Sequence, residues 1–297
     1  EEIHRRLDEI EQIHAIYSPA RLGLAAAIAC CAFTFLLGGG PIEMILAFVA
    51  AGIGNLIRTK LIKHHFTLFL NIAVSISASC FIYAALLKIA EMAFNVPSIH
   101  EAGYICSMLF IIPGFPFITS GIDLAKLDLR SGLERLAYAI IIVMVATMFA
   151  WIMALLLRLQ PMDFEDLNLT PVLHLILRLI MSFFGVFGFS IMFNSPAPMA
   201  ATAALIGAIA NSLRLELVDL TGMPAPAAAF AGALTAGLLA SFIKENNGYP
   251  RISLTVPSIV IMVPGLYLYR AIYNFGIMAL SDAVSWFASA IMIIIAL

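Results

Sequence analysis

The chain has 297 residues, 62% of them apolar and only 11% charged, with a formal net charge of −2. A water-soluble domain of this length has more surface than so few polar side chains can cover, so a soluble core is excluded and the chain belongs in a bilayer. Near-neutral charge and scattered basic residues exclude a nucleic-acid partner, and Cys30, Cys31, Cys80 and Cys106 all fall in apolar stretches as small core residues without metal or disulfide spacing.

The N-terminal residues 1–18 are charged throughout, unlike the basic start and apolar run of a secretory signal. Ile3, Leu7, Ile10, Ile13 and Tyr17 recur at helical spacing, which predicts a short amphipathic helix on the cytoplasmic face, either a docking element or a plain solvated lead-in. About twenty apolar residues cross a bilayer. Candidate spans on that criterion are 20–37, 41–57, 66–87, 104–122 and 133–157, followed by 172–193, 199–217, 224–243, 252–273 and 280–297. They form two groups of five, 19–160 and 172–297, separated by an acidic linker over 161–171 with Asp163, Glu165 and Asp166.

The two groups repeat one another through a few anchors in the same order. Pro113-Gly114 answers Pro264-Gly265, Asn55 answers Asn211, Arg58 answers Arg214, and Lys88 answers Lys244. Two units that each cross a membrane an odd number of times face opposite ways, the inverted-repeat plan of many secondary transporters. With the N-terminus in the cytoplasm, eleven Lys and Arg lie on the cytoplasmic side and four outside, with Arg178 left inside a span. This balance predicts both termini in the cytoplasm and the acidic linker outside. The fold expected is therefore all-α and polytopic, ten transmembrane helices in two inverted five-helix repeats.

A Pro-Gly pair inside a spanning helix removes a backbone donor and loosens the next turn, so the fourth and ninth spans are expected to break at Pro113-Gly114 and Pro264-Gly265. Pro116 and Pro257 should weaken them further. A broken helix exposes free N–H groups and a positive dipole end at the start of its second half, which suits a substrate carboxylate at the bilayer midplane. The plainer alternative is a kink that improves packing. Thr119 and Ser120 offer hydroxyls just past the first break, and Asp123 ends that span where the second half has the neutral Asn274. One ionisable site per molecule is what proton coupling requires, although Asp123 could equally cap a helix or pair with Lys126. Arg178, with His174 one turn earlier, is a basic residue deep in a span and a candidate charge partner for Asp123; in a later-starting span it would only snorkel. Asn194 and Asn211 supply amides for substrate or for interhelical bonds, and Tyr269 adds a polar tip after the second break. Glu216 and Asp219 form an ion-pair cluster near Arg214, and small residues such as Ala203 with Gly207 and Gly232 with Ala236 permit close helix approach.

Zinc HExxH, Walker A, GxSxG and paired acidic magnesium motifs are all missing from the sequence. That pattern argues against an enzyme and for transport driven by an ion or solute gradient, with no cofactor and no metal.

The chain resembles the threonine/serine exporter family. In the first half the resemblance rests on residues 6–11 (RLDEIE), Gly38 to Gly40, Pro113-Gly114, Pro116, Asp123, Asp128 and Ser131-Gly132. In the second it rests on Phe187-Gly188-Phe189, Phe193-Asn194, Pro196, residues 203–209 (AALIGAI), Arg214 and residues 263–270 (VPGLYLYR). It implies ten spans, two halves that some relatives encode as separate chains, and export of threonine and serine, while the split relatives are linked to succinate export. The family's Thr-Asn pair and Arg before the aspartate are replaced here by Ile118-Thr119 and Ile122, and its basic residues after Asn-x-Pro by Ala197-Pro198. Those losses favour a zwitterion over a dicarboxylate. The partners implied are a small amino acid, protons and the lipid bilayer of a bacterial inner membrane, with a homo-oligomer compatible; a channel or a membrane enzyme is the alternative.

Overall fold

The computed structural model describes residues 4–6, 16–94, 97, 100, 102–164, 167–247 and 249–297. Most of the expected N-terminal amphipathic helix, including Leu7, Ile10 and Ile13, and the linker residues Glu165 and Asp166 lie outside the described residues. Helices account for nearly all of the rest, and no strand occurs among the described residues.

In chain order the helices are α1 (Pro19–Leu36), α2 (Pro41–Lys63), α3 (Leu68–Phe94), α4 (Gly103–Ser107) with a short 3-10 turn (Leu109–Ile111), α5 (Gly114–Ala125) and α6 (Leu129–Leu157). After the linker come α7 (Pro171–Met192), α8 (Ala197–Thr221), α9 (Ala225–Asn247), α10 (Arg251–Val260), α11 (Gly265–Gly276) and α12 (Leu280–Ala296). Prolines open α1, α2 and α7, where a missing N–H costs no hydrogen bond, and Asp128 caps α6 by accepting from the Ser131 N–H at 3.3 Å. Pro116 falls in the first turn of α5, so unlike Pro257 inside α10 it starts a helix instead of weakening one.

Seven of these helices are long and apolar enough to cross a membrane, and nine spans result if each bent pair counts as one. The bent pairs are α4 with α5, turning by 56°, and α10 with α11, turning by 47°. α12 is apolar but has 17 residues, about 25 Å at 1.5 Å per residue, against a hydrocarbon core of about 30 Å. Leu133, Ile140, Met144, Met148 and Leu155 make an exposed apolar stripe along α6, a face suited to lipid and not to water.

The two halves share backbone detail as well as element order. Pro113 has φ −81° and ψ 58°, and Pro264 has φ −80° and ψ 57°. Each closes a tight γ-turn, Gly114 N–H to the Ile112 carbonyl and Gly265 N–H to the Val263 carbonyl, both 2.8 Å. Left-handed residues end helices at matching places: Gly38 and Asn194, His65 and Gly222, Leu127 and Met278. α1 and α7 pack face to face between the halves, where Gly188 comes so near the Ala25 carbonyl that an added Cβ would lie 2.6 Å from it. Gly207 and Gly232 likewise bring α8 against α10 and α9. The cysteines are free thiols, three buried and Cys31 half-buried.

Candidate functional site

The two breaks meet in the buried interior, each glycine seated on the other half. A Cβ on Gly114 would meet Val260 at 2.6 Å and Val263 at 3.3 Å; one on Gly265 would meet Leu109 at 3.1 Å and Ile112 at 3.3 Å. Leu109 and Ile112 hold in the first half the places of Val260 and Val263 in the second, so the contact is reciprocal. Between the breaks lies a cavity of about 30 Å³ with paired walls: Phe33 and Phe189, Ile112 and Val263, Gly114 and Gly265. The two phenylalanines meet edge to face with ring centroids 6.2 Å apart. Room for about two water molecules is too little for an amino acid.

The polar groups at this centre belong to the backbone. Phe117 and Leu268 N–H groups bond back to the Pro113 and Pro264 carbonyls, each at 3.1 Å. By helix geometry Phe115 in α5 and Leu266 and Tyr267 in α11 have N–H groups without an intrahelical acceptor, while Pro116 has no N–H to offer. The second break therefore presents more free donors than the first.

Around this centre the structure distributes the sequence candidates unevenly. Thr119 and Ser120 are buried, but their hydroxyls donate to carbonyls of their own helix, Thr119 to Phe115 at 3.0 Å and Ser120 to Phe117 at 2.8 Å. Asp123 sits at the far end of α5, where Arg135 of α6 approaches it at 3.2 Å. Arg178 is not its partner. That guanidinium binds Glu216 at 2.7 Å and also Asp219, both on α8, which joins the expected Glu216 and Asp219 cluster to a residue of α7. Asn211 is fully buried and donates to the Ser182 hydroxyl at 2.8 Å, an interhelical bond between α8 and α7. Asn194 ends α7 in a left-handed conformation and accepts from the Ile16 N–H at 3.0 Å, while the Tyr17 hydroxyl donates to the Ser195 carbonyl at 2.8 Å. Tyr269 is fully buried and its hydroxyl lies 2.5 Å from that of Tyr104, binding α11 to α4 across the two halves.

Two features escaped the sequence reading. Glu43, buried in the first turn of α2, lies 2.6 Å from His100 Nδ1 and accepts from the Gly40 N–H at 3.0 Å. The second is a cavity of about 230 Å³ beside the second break, with Arg214, Arg270, Tyr267 and Trp286 in its wall. The glycine-to-glutamate spacing of a capping box signals the first; nothing in the sequence places Arg214 beside Arg270. Among the described residues no cluster of three or more His, Cys, Asp or Glu is arranged to hold a metal ion.

Residues 1–157 match the family described as "Putative threonine/serine exporter", and residues 178–297 match that described as "Threonine/Serine exporter, ThrE". One curated relative is "Probable succinate transporter subunit YjjP" of Escherichia coli (strain K12), 28% identical over 153 residues that make up 52% of this chain and 57% of the relative. The protein of the same name from Klebsiella aerogenes is 25% identical over 154 residues, with the same shares. The chain thus spans little more than half the length of these curated relatives, and no solved structure matches it. Its two halves are covered by two matching families of one description, and its helices are long and apolar enough to cross a membrane: the chain belongs to the threonine/serine exporter family of membrane transporters.

Proposed function

We propose that this protein is a secondary exporter of small amino acids, threonine and serine, working by alternating access and proton antiport. The observation that carries the reading is the reciprocal crossing of the two broken helices around the central cavity. A rigid pore needs no such joint. Two half-helices that bear on each other through glycines can open to one side or to the other, with the γ-turns at Pro113 and Pro264 as hinges.

In this reading α12 crosses as a tenth short span and the two five-span units face opposite ways, with both termini in the cytoplasm of a bacterial inner membrane. Charge at matching positions supports the inversion: Lys60 and Lys63 near the end of α2 answer Glu216 and Asp219 near the end of α8. Basic residues stay inside and acids are tolerated outside, so equivalent helix ends of opposite sign belong on opposite faces. Asp123, near the cytoplasmic end of α5, exchanges the coupling proton, and the substrate carboxylate meets the free amides beyond the breaks at Gly114 and Gly265. One charge moving through 100 mV supplies about 2.3 kcal/mol, enough for a gradient of about fiftyfold in a neutral substrate.

A dicarboxylate is the second reading. It draws on the printed name of the YjjP relatives and on the two arginines beside the second break. Counterflow separates the readings: proteoliposomes preloaded with unlabelled L-serine, L-threonine or succinate are offered the labelled compound. Saturable accumulation of serine or threonine is expected. Accumulation with succinate alone would move the protein to the dicarboxylate reading, and flux without counterflow would make it a channel.

A further inference from the structure

The 230 Å³ cavity adjoins the central one and shares Phe33, Val263 and Gly265 with it, so whatever enters it is already at the second break. It is smaller than the roughly 300–1,000 Å³ of sites for drug-sized ligands, a size suited to a small metabolite. Its wall is apolar apart from two arginines and the first turn of α11.

The two arginines are held differently. Arg214 of α8 makes no hydrogen bond or ion pair among the described residues, and its Nε is buried without a partner. Arg178 is near but already engaged by Glu216 and Asp219. Arg214 is half-buried, its Nε shut away from water with no counter-ion beside it, which leaves the fork of the guanidinium open to a carboxylate. Arg270 of α11 lies over the Trp286 ring, 4.8 Å from its centroid, and donates to Asp163 Oδ1 at 2.7 Å. Asp163 belongs to the linker and its side chain is 89% exposed, whereas that of Arg270 is 12% exposed. An exposed carboxylate on a single donor is easily exchanged for another. Leu266 and Tyr267, whose amides have no intrahelical acceptor at the positive end of α11, line the same cavity, whereas α5 keeps fewer such donors because Pro116 has no N–H.

We propose that this cavity is the carboxylate-binding site of the transporter: Arg214 and the first amides of α11 hold the substrate carboxylate, and Asp163, seated on Arg270, selects against a second one. The inference rests on the reading of the chain as a transporter of small carboxylate-bearing solutes. A threonine or serine brings one carboxylate and finds one free guanidinium. A dicarboxylate needs Arg270 as well, which becomes free only when Asp163 leaves. One residue of the acidic linker thus sets the substrate class.

The test is calorimetric titration of the purified full chain in micelles, without any gradient, using L-serine and succinate. Wild type is expected to prefer serine. Arg214→Gln should weaken serine at least tenfold, and Arg214→Lys should recover part of that, because the ammonium restores the charge but not the fork. Asp163→Asn should shift the succinate-to-serine affinity ratio at least tenfold toward succinate, and adding Arg270→Gln should reverse the shift. Serine binding unaltered in Arg214→Gln, an unchanged ratio in Asp163→Asn, a wild type that prefers succinate, or no binding of either ligand would overturn the proposal. Because the readout is binding, it fails separately from the transport reading: intact binding without counterflow overturns transport alone.

Discussion

α5 and α11 leave their breaks on the same backbone and then carry opposite chemistry. Both have 12 residues, both follow a proline at nearly identical φ and ψ, and both end in a left-handed residue, Leu127 or Met278. Where α5 has Thr119, α11 has Arg270; where α5 has Asp123, α11 has Asn274; and where α6 faces Asp123 with Arg135, α12 faces Arg270 with Trp286. The shared part is what two crossed helices need in order to fit and to move. The unshared part divides the charge, an acid in one half and a cation in the other. The proposed exchange of a proton for a carboxylate would use that division, and a structural kink would not.

The largest expected effect breaks the acidic side of the comparison. Asp123→Asn, which gives the first half the polarity of Asn274, is predicted to abolish accumulation driven by a pH gradient in proteoliposomes while sparing exchange of serine for serine. Accumulation that survives the substitution would remove Asp123 from coupling. Stability should change by less than about 1 kcal/mol, because Arg135 is half exposed and the pair is weakly shielded.

Next comes the ion cluster of the second half. Arg178 is 9% exposed and binds Glu216, itself 21% exposed, as well as Asp219; Leu22 stands at the matching place in α1. Arg178→Leu leaves a largely buried carboxylate unpaired, and the loss is expected at about 3 kcal/mol, the low end for a broken buried pair because Asp219 is half exposed. Denaturant unfolding in micelles checks it. A cost below about 1 kcal/mol would mean the cluster behaves as a surface pair.

The crossing itself is sharpened by two alanines. Gly114→Ala puts a Cβ 2.6 Å from Val260 and is expected to cost about 1–3 kcal/mol, whereas Gly265→Ala, with its nearest neighbour at 3.1 Å, should cost less than about 1 kcal/mol. Val260→Ala should rescue Gly114→Ala and not Gly265→Ala in a double-mutant cycle. Rescue of both equally would mean the contact is not specific to one glycine.

Much of this architecture was legible in the sequence, and the reason is local. Apolar runs, opening prolines and the two Pro-Gly pairs act within a few residues, so the long helices and both breaks could be placed before any coordinates. The side-chain partners could not. Arg178 meets residues 38 and 41 positions away, and Asp123 meets Arg135 only because the turn at Leu127 folds α6 back along α5. Such pairings depend on how each helix is rotated about its axis, which hydropathy in helices apolar on most sides does not fix. Thr119 and Ser120 show a further limit of a local reading: both hydroxyls already donate to carbonyls of their own helix, which residue type alone does not reveal. The cavity between Arg214 and Arg270 needed α8, α11 and the linker together, and no motif spans all three.

The smallest effect gives the cleanest comparison. Leu127 and Met278 have φ of 63° and 62°, and each is followed by the same wide helix-closing bond, Asp128 N–H to the Asp123 carbonyl at 3.0 Å and Ala279 N–H to the Asn274 carbonyl at 2.9 Å. A left-handed residue with a Cβ costs about 1–2 kcal/mol, and glycine removes that cost while returning about 0.4–1 kcal/mol through the freer unfolded chain. Both side chains are about four-fifths exposed, Leu127 at 81% and Met278 at 79%, so little packing is lost. Leu127→Gly and Met278→Gly should therefore each raise stability in micelles by about 0.5 kcal/mol, and by the same amount. Equality is the informative part, because Asp123 and Arg135 flank one turn and Asn274 and Trp286 the other. If the gains match, the charged pair exerts no strain on its turn and the two halves differ in chemistry alone. If Leu127→Gly gains less, the Asp123–Arg135 pair is already holding its turn in place, and Asp123 is mechanically tied to the end of α5.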